Sequence, residues 1–129
     1  MTVEFGTVGF YEAMAETLNS DPVWADKGKD LTYTMVYAYG PPVDKEFLVR
    51  FELGKIVTVR EAVPGDVDQS DAVISGAADV WRGIFEGRIN PTVALATGKM
   101  KLKGNKTKLM KNMAAFTYVI DTMKRLEFV

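Results

Sequence analysis

The sequence predicts one α+β domain in which helices cover a sheet. The predicted order is a helix, four strands, two helices, a strand and a helix, with turn residues between them. Two periodicities indicate this class: apolar residues at helical spacing, and alternating bulky residues in the strands. The 129 residues suffice for one hydrophobic core, and they contain no internal repeat or linker. We therefore predict a single domain over residues 1–129.

The N-terminal segment is predicted to be helical. Residues 8–18 place apolar side chains on one face and Glu12 and Glu16 on the other. Pro22 ends this helix, because the residue before a proline disfavours helical geometry. Residues 23–25 follow as a short helical turn that carries Trp24.

The middle of the chain is predicted to form strands. Residues 31–39 and 46–53 are rich in β-branched and aromatic residues. Gly54 and Lys55 are predicted as the hairpin connection to a third strand at 56–62, so that these three strands form an antiparallel meander. A loop at residues 63–71 leads to a short fourth strand at residues 72–75.

The C-terminal third alternates helices with one more strand. Residues 77–86 have apolar residues at helical spacing, and Asn90 and Pro91 are typical of the start of a second helix, which ends at Gly98. Residues 99–103 are predicted as the fifth strand. Residues 107–126 are predicted as one long amphipathic helix whose apolar stripe comprises Leu109, Met113, Phe116, Ile120 and Met123.

The composition excludes several functional classes. The chain has no Cys and no His, so disulfides, thiolate nucleophiles and the commonest general base and metal ligand are absent. No apolar run approaches the ~20 residues that a transmembrane helix needs. The N-terminus lacks the basic start and apolar run of a secretory signal. We therefore expect a cytoplasmic protein that needs no metal and no cofactor.

The charge is divided unevenly along the chain. Residues 1–86 hold seven Lys or Arg against fifteen Asp or Glu, whereas residues 87–129 hold nine basic against two acidic residues. Such asymmetry can indicate an interaction face. The simpler interpretation is that both halves mix on one folded surface and cancel.

Two known motifs fail on spacing. The acids Asp66, Asp68 and Asp71 resemble part of a calcium loop, but Ser70 and Asp71 stand where that loop needs an acid or Asn and then a Gly. Five residues separate Gly98 from Gly104, where a phosphate-binding Walker loop has four. Neither motif predicts a site here.

A cluster of lysines lies between residues 99 and 111. A nucleic-acid site wants aromatic residues between the basic ones, whereas Met100 and Leu102 stand there. In a strand these two point away from the lysines, which is typical of a soluble sheet edge. A solvated edge is therefore the first interpretation and weak attraction to an anionic membrane surface the second; nucleic acid is not an expected partner.

The segment 79–105, "DVWRGIFEGRINPTVALATGKMKLKGN", resembles the characteristic segment of the sterol carrier protein type 2 domain, a lipid-transfer family. The resemblance is carried by Asp79, Trp81, Gly87, Asn90, Pro91, Ala94, residues 98–102, Gly104 and Asn105. The order of helices and strands agrees over nearly the whole chain. Two departures are the small Ala96 and a C-terminus that lacks a peroxisomal tripeptide.

The resemblance implies a five-stranded, mainly antiparallel sheet covered on one face by helices, with an apolar tunnel between them. It implies binding and transfer of a fatty acid, fatty acyl-CoA, phospholipid or sterol-like ligand without catalysis. The tunnel lining that it implies is Trp81, Ile84, Phe85, Leu95, Met100, Leu102, Met110, Met113, Phe116 and Ile120. Lys106, Lys108 and Lys111 are then expected to contact a headgroup or phosphate, and the C-terminal helix to act as the gate.

Two other functions stay open at this stage. The first is an accessory or interaction module that docks on an enzyme or self-associates through its acidic and basic parts, so an oligomer is one expectation. The second is an enzyme acting on an apolar substrate, for which the sequence offers no catalytic residues.

Overall fold

A computed structural model describes residues 2–129, which form a five-stranded sheet with helices. The strands are β1 (Tyr33–Tyr39), β2 (Lys45–Glu52), β3 (Lys55–Glu61), β4 (Ala72–Gly76) and β5 (Met100–Gly104). Their order across the sheet is β3-β2-β1-β4-β5. Within this sheet β1 and β4 pair in parallel, and the other three neighbouring pairs are antiparallel. The predicted α+β class and the mainly antiparallel sheet are confirmed.

The helices were predicted by periodicity and most lie where expected. They are α1 (Val8–Asn19), α2 (Pro22–Lys27), α3 (Asp66–Gln69), α4 (Ala78–Phe85), α5 (Pro91–Ala96), α6 (Lys106–Lys111) and α7 (Met113–Lys124). The side chain of Asp21 caps α2, and that of Asn90 caps α5 by accepting from the Thr92 and Val93 amides. These caps satisfy amides that otherwise lack a partner at a helix N-terminus.

The core lies between one face of the sheet and the helices. Successive side chains in a strand point to opposite faces, so Tyr33, Met35, Tyr37 and Tyr39 share the face that packs on the helices, where all four are buried. Arg60 on β3 pairs with Asp66 of α3 at 2.6 Å, and the Thr34 amide donates to the Asp71 carboxylate at 2.7 Å. The segment 63–71, which carries α3, is thereby held to the sheet.

The predicted helix over residues 107–126 is wrong as one continuous element. Asn112 interrupts it with φ −115° and ψ 24°, which separates α6 from α7. The Asn112 side-chain amide donates to the Lys108 carbonyl at 2.8 Å. Asparagine side chains compete in this way with the backbone hydrogen bonds of a helix.

Two smaller predictions are also corrected. The hairpin between β2 and β3 turns at Leu53 and Gly54, both with positive φ, so Lys55 already belongs to β3. Positive φ at both turn residues suits the twist of a two-residue hairpin. The loop at residues 63–71 contains the short helix α3, whose acid Asp66 also accepts from the Val63 amide.

The two ends of the described chain meet beside α1. The Val3 amide donates to the Glu127 carbonyl and the Val129 amide to the Val3 carbonyl, both at 3.0 Å. This places Phe128 against the ring of Phe10, with centroids 5.6 Å apart. Among residues 2–129, no helix combines the length and the hydrophobicity required to cross a bilayer.

Candidate functional site

An apolar pocket lies between the centre of the sheet and the helices α4 to α7. Its walls are almost entirely hydrocarbon and aromatic, and none of the lining side chains carries a charge. The lining residues are Met35, Tyr37, Ile74, Trp81, Ile84, Pro91, Thr92, Leu95, Met100, Leu109, Met113, Phe116, Thr117 and Ile120. A lining of this kind favours an apolar ligand that is held by burial rather than by charge.

The sheet supplies one side of the pocket. Met35 and Tyr37 come from β1, and Ile74 on β4 lies opposite Tyr37 in the parallel register. Met100 on β5 pairs with Gly76 on β4. Because β1 and β4 are central strands, this side is part of the rigid sheet.

Helix α4 supplies a fixed corner of the pocket. Trp81 is fully buried, and its indole N–H donates to the Ala38 carbonyl of β1 at 2.8 Å. The indole ring stacks on Tyr39 with centroids 5.2 Å apart. These contacts hold Trp81 and its neighbour Ile84 in place against the sheet.

The opposite side of the pocket is formed by α5, α6 and α7. Leu95, Met113 and Ile120 are half-buried there, and Thr92 and Thr117 are exposed. These residues therefore border the solvent and form the mouth. The mouth is lined by short or terminal helices, whereas the floor belongs to the sheet.

The pocket is narrow in this structure. The free volume inside it is about 70 Å³, which is roughly half of the ~150 Å³ apolar cavity known to hold one benzene molecule. A long acyl tail needs more space than this. Its entry requires the mouth helices to move outward.

The structure brings together seven of the ten residues expected to line a tunnel. They are Trp81, Ile84, Leu95, Met100, Met113, Phe116 and Ile120. They come from three helices and one strand that are distant along the chain. The sequence segment that carries the resemblance, residues 79–105, supplies four of them.

The other three residues do not line this pocket. Phe85 is buried in an aromatic cluster, with its ring 4.9 Å from that of Phe10. Leu102 is partly buried on β5, opposite Ile74. Met110 is 65% exposed on α6, whereas its neighbour Leu109 is buried and lines the pocket.

The three lysines expected at a headgroup have different surroundings. Lys108 is half-buried: its Nζ lies 3.9 Å from Asp71 and 5.2 Å from the centre of the Tyr33 ring. Lys106 and Lys111 are exposed. Lys108 is therefore held in a contact within the protein, whereas the other two face solvent.

Sequence reasoning missed the contribution of β1 and β4, although it assigned Met100 of β5 to the lining. Met35, Tyr37 and Ile74 lie on strands that were predicted correctly, yet they were not assigned to a site. The alternation in β1 was the available signal, because it places Met35 and Tyr37 on one face. The part of this face that lies beneath the mouth helices is set by the pairing of β1 with β4. No local sequence pattern contains that information.

One polar group opens into the pocket from the sheet side. Tyr37 is 2% exposed, and burial raises the pKa of its hydroxyl far above the ordinary tyrosine value, so the group is protonated at neutral pH. Within residues 2–129 this hydroxyl has no hydrogen-bond partner, whereas the hydroxyls of Tyr11 and Tyr39 bond to each other at 2.6 Å. All side-chain N and O atoms that are fully enclosed in the described chain do have partners, so the Tyr37 hydroxyl, which has none, is not fully enclosed.

The loop acids have structural partners. Asp66 accepts from Arg60 and from the Val63 amide, and the hydrogen bond from Arg60 is the main cause that lowers the pKa of its carboxyl. Asp71 accepts from the Thr34 amide. In residues 2–129 no three acidic side chains converge in a way that would hold a metal ion.

Comparison with known proteins identifies the family. The model of the SCP-2 sterol transfer family matches residues 28–117, which is most of the chain. A curated relative, the hydroxysteroid dehydrogenase-like protein 2 of Bos taurus, is 45% identical over 38 residues, 30% of this chain. That match spans 9% of the relative's own length.

Solved structures share the fold over nearly the full length. A crystal structure of sterol carrier protein 2 superimposes with a TM-score of 0.81 at 18% identity, covering 95% of this chain and 99% of that one. The solution structure of a conserved hypothetical protein of Thermus thermophilus, described as possibly a sterol carrier protein, gives a TM-score of 0.80 at 19% identity and covers 98% of this chain and 92% of that one. The chain belongs to the SCP-2 sterol transfer family, whose domains bind and transfer lipids in general.

Proposed function

We propose that this domain carries a lipid with a long apolar tail in the pocket between the sheet and α4 to α7, without changing the lipid chemically. The apolar, uncharged lining of that pocket is the observation that carries the proposal. Fatty acids, fatty acyl-CoA, phospholipids and sterol-like lipids all present such a surface.

The expected driving force is burial of hydrocarbon. Each methylene removed from water contributes ~0.8 kcal/mol, so a tail of ~16 carbons offers on the order of 10 kcal/mol before ordering costs. No catalytic group is needed for this. Selectivity among tail lengths is expected to be low, because one more methylene discriminates by only ~1 kcal/mol.

Helix α6 is the element expected to open. It has six residues, one buried side chain (Leu109) and an N-cap at Asn105. Its other end is the break at Asn112. Outward rotation between these two asparagines would withdraw Leu109 from the pocket and enlarge it.

The lysine surface beside the mouth is proposed to meet anionic lipid headgroups. This surface consists of Lys106 and Lys111 on α6, both exposed; Lys101 and Lys103 on β5 point to the opposite face of the sheet from Met100. Between Gly87 and Ile120 the chain has no acidic residue, so nothing in that segment neutralises it. A juxtamembrane lysine contributes about 1 kcal/mol of attraction to an anionic surface.

The test is uptake of a fluorescent fatty acid by the purified chain, with mass spectrometry of any lipid extracted from it. We expect saturable binding at one site and co-purifying lipid. Replacing Leu95 by Arg at the mouth should abolish uptake while leaving the fold intact, since Leu95 is only half-buried. Val93→Arg, on the same short helix but exposed, is the matched control and should bind normally.

The membrane part is tested by transfer from vesicles. The double variant Lys106→Gln, Lys111→Gln should slow transfer from anionic vesicles and leave transfer from zwitterionic vesicles unchanged. Absence of fatty-acid uptake by the unaltered chain would refute the carrier function. Equal rates of transfer from anionic vesicles by the unaltered chain and the double variant would refute only the proposed contact of the lysines with lipid headgroups.

A second proposal is that the domain docks on an enzyme or on itself. It is favoured by the curated relatives, in which the match occupies a small part of a longer protein. Salt-dependent self-association in sedimentation would support contact between copies. A monomer at every ionic strength would count against it.

A further inference from the structure

The Tyr37 hydroxyl is the feature that the carrier function leaves unexplained. Of the polar side chains that line the pocket, Thr92 and Thr117 are exposed at the mouth, and the Trp81 N–H is already bonded to the Ala38 carbonyl. Among the lining residues, Tyr37 combines near-complete burial with a free hydrogen-bonding group. The hydroxyl is not fully enclosed, because every fully enclosed side-chain N or O atom of the described chain has a partner, so it is available to bond a polar group that enters with a ligand.

We infer that the ligand carries an uncharged oxygen group, such as a ketone, hydroxyl or ester carbonyl, that enters the pocket and accepts a hydrogen bond from the Tyr37 hydroxyl. This inference rests on the proposed carrier function and specifies the ligand class of the same pocket. The hydroxyl belongs to a central strand, so the bonded oxygen lies on the sheet side while the mouth helices cover the rest of the ligand.

The group at Tyr37 must be neutral. None of the side chains that line the pocket is charged, so a carboxylate or phosphate placed there would lose its hydration without gaining a counter-ion. A charged headgroup therefore stays at the mouth, near the lysine surface. An oxygen on the buried end of the molecule, in contrast, gains a bond that a plain hydrocarbon cannot make.

The position of Tyr37 is well defined. Its ring packs against those of Tyr11 and Trp81, with centroids 5.2 Å and 5.8 Å away. Both neighbours are themselves fixed by hydrogen bonds, Tyr11 to Tyr39 and Trp81 to Ala38. The hydroxyl is therefore held at one depth in the pocket, which would select ligands by the place of their oxygen as well as by its presence.

The experiment compares two ligands that differ by one oxygen: a long-chain methyl ketone and the straight alkane of the same carbon number. Each competes with a bound fluorescent fatty acid. We expect the unaltered chain to prefer the ketone by about three- to tenfold, the range expected for one net hydrogen bond. Tyr37→Phe should reduce that ratio to near one. In the infrared spectrum, the carbonyl stretch of the ketone bound to this variant should lie at higher frequency than that of the ketone bound to the unaltered chain.

The matched control is Tyr39→Phe. Tyr39 lies two residues further on the same face of β1, but its hydroxyl bonds to Tyr11 and it does not line the pocket. This variant should lose stability and keep the preference for the ketone. Tyr37→Phe should keep its stability, since the hydroxyl makes no bond within the described chain.

The outcomes are distinguishable. Equal affinity of the unaltered chain for ketone and alkane overturns the inference and leaves the carrier function standing. A water molecule bonded to the Tyr37 hydroxyl would give this result. A ketone preference that survives Tyr37→Phe overturns the inference too. Displacement of the fluorescent fatty acid by neither ligand also overturns the inference and leaves the carrier function standing, whereas failure of the fluorescent fatty acid itself to bind refutes the carrier function, and the inference with it.

Discussion

The core has two halves that differ in composition and packing. The aromatic half, beside α1 and the chain ends, consists of Phe5, Phe10, Tyr11, Tyr39, Phe47, Phe85 and Phe128, whose rings contact one another. The pocket half, beneath α5 to α7, is lined mainly by Met, Leu and Ile and retains free volume. The aromatic half is closed and internally bonded, whereas the pocket half is open at its mouth.

The difference separates stability from binding. Rigid rings at centroid distances of about 5 to 6 Å contribute area and specific geometry together. Methionine and branched aliphatic side chains adapt to varied shapes at low cost. A domain built in this way can admit a ligand at one end while the other end keeps the fold.

The largest expected effect comes from breaking the aromatic half. Phe10 is 0% exposed and contacts the rings of Tyr11, Phe85 and Phe128. Phe10→Ala should lower the free energy of unfolding by about 3–5 kcal/mol, measured by urea denaturation. The affinity of the folded fraction for a fluorescent fatty acid should not change. A loss of affinity as large as the loss of stability would show that the halves are not separate.

A smaller effect is expected in the pocket half. Met113 is half-buried at the mouth, so Met113→Ala should cost about 1 kcal/mol of stability. The added space should raise the affinity for a fluorescent fatty acid by roughly threefold, because less rearrangement is then needed. Met110→Ala is the control, since Met110 is exposed on the neighbouring helix and should change neither quantity. An affinity left unchanged by Met113→Ala, as by Met110→Ala, would contradict the proposed pocket.

The smallest effect concerns the attachment of α7 at the edge of both halves. The Tyr118 hydroxyl donates to the Asp21 carboxylate, and this bond is the main cause that lowers the pKa of Asp21 below its ordinary value of 3.8. A carboxyl whose pKa is lower in the folded than in the unfolded chain stabilises the folded protein at pH values above the unfolded pKa. That contribution is lost as the pH falls below about 3.8 towards the folded value.

Asp21→Asn tests this dependence while keeping a good helix cap at the start of α2. The variant should lose less stability between about pH 5 and pH 3, measured by thermal unfolding, than the unaltered chain does. Identical pH profiles would show that the Tyr118 bond contributes nothing to the attachment of α7.

Most of the fold could be predicted, since the periodicities of the chain located all five strands and most helices. Two elements were not predicted, the break between α6 and α7 and the short helix α3, and their causes are visible only in the structure. Asn112 donates to the Lys108 carbonyl and divides the last helix, although nothing in its neighbours marks it as a break. Gly65, with φ 96°, begins α3 within the loop at residues 63–71.

The candidate site could be predicted in part. Met113, Phe116 and Ile120, which the sequence placed on one apolar stripe, line the same pocket. Met110 lies three residues before Met113, yet it faces solvent, and its neighbour Leu109 lines the pocket instead. Residues from β1 and β4 could not be assigned, because their membership depends on which strands pair and where the helices cover them.

The sequence by itself determined the α+β class, the alternation that places Met35, Tyr37 and Tyr39 on one face of β1, and the absence of Cys and His chemistry, because each of these follows from residue type and local backbone geometry. Only the tertiary structure decided how narrow the pocket is, that Tyr11 and Tyr39 bond to each other, and that Tyr37, on the same strand face as Tyr39, does not bond within the described chain. Tyr37 and Tyr39 have similar local patterns. Their difference arises from neighbours brought together across the fold, which is information that residue spacing does not contain.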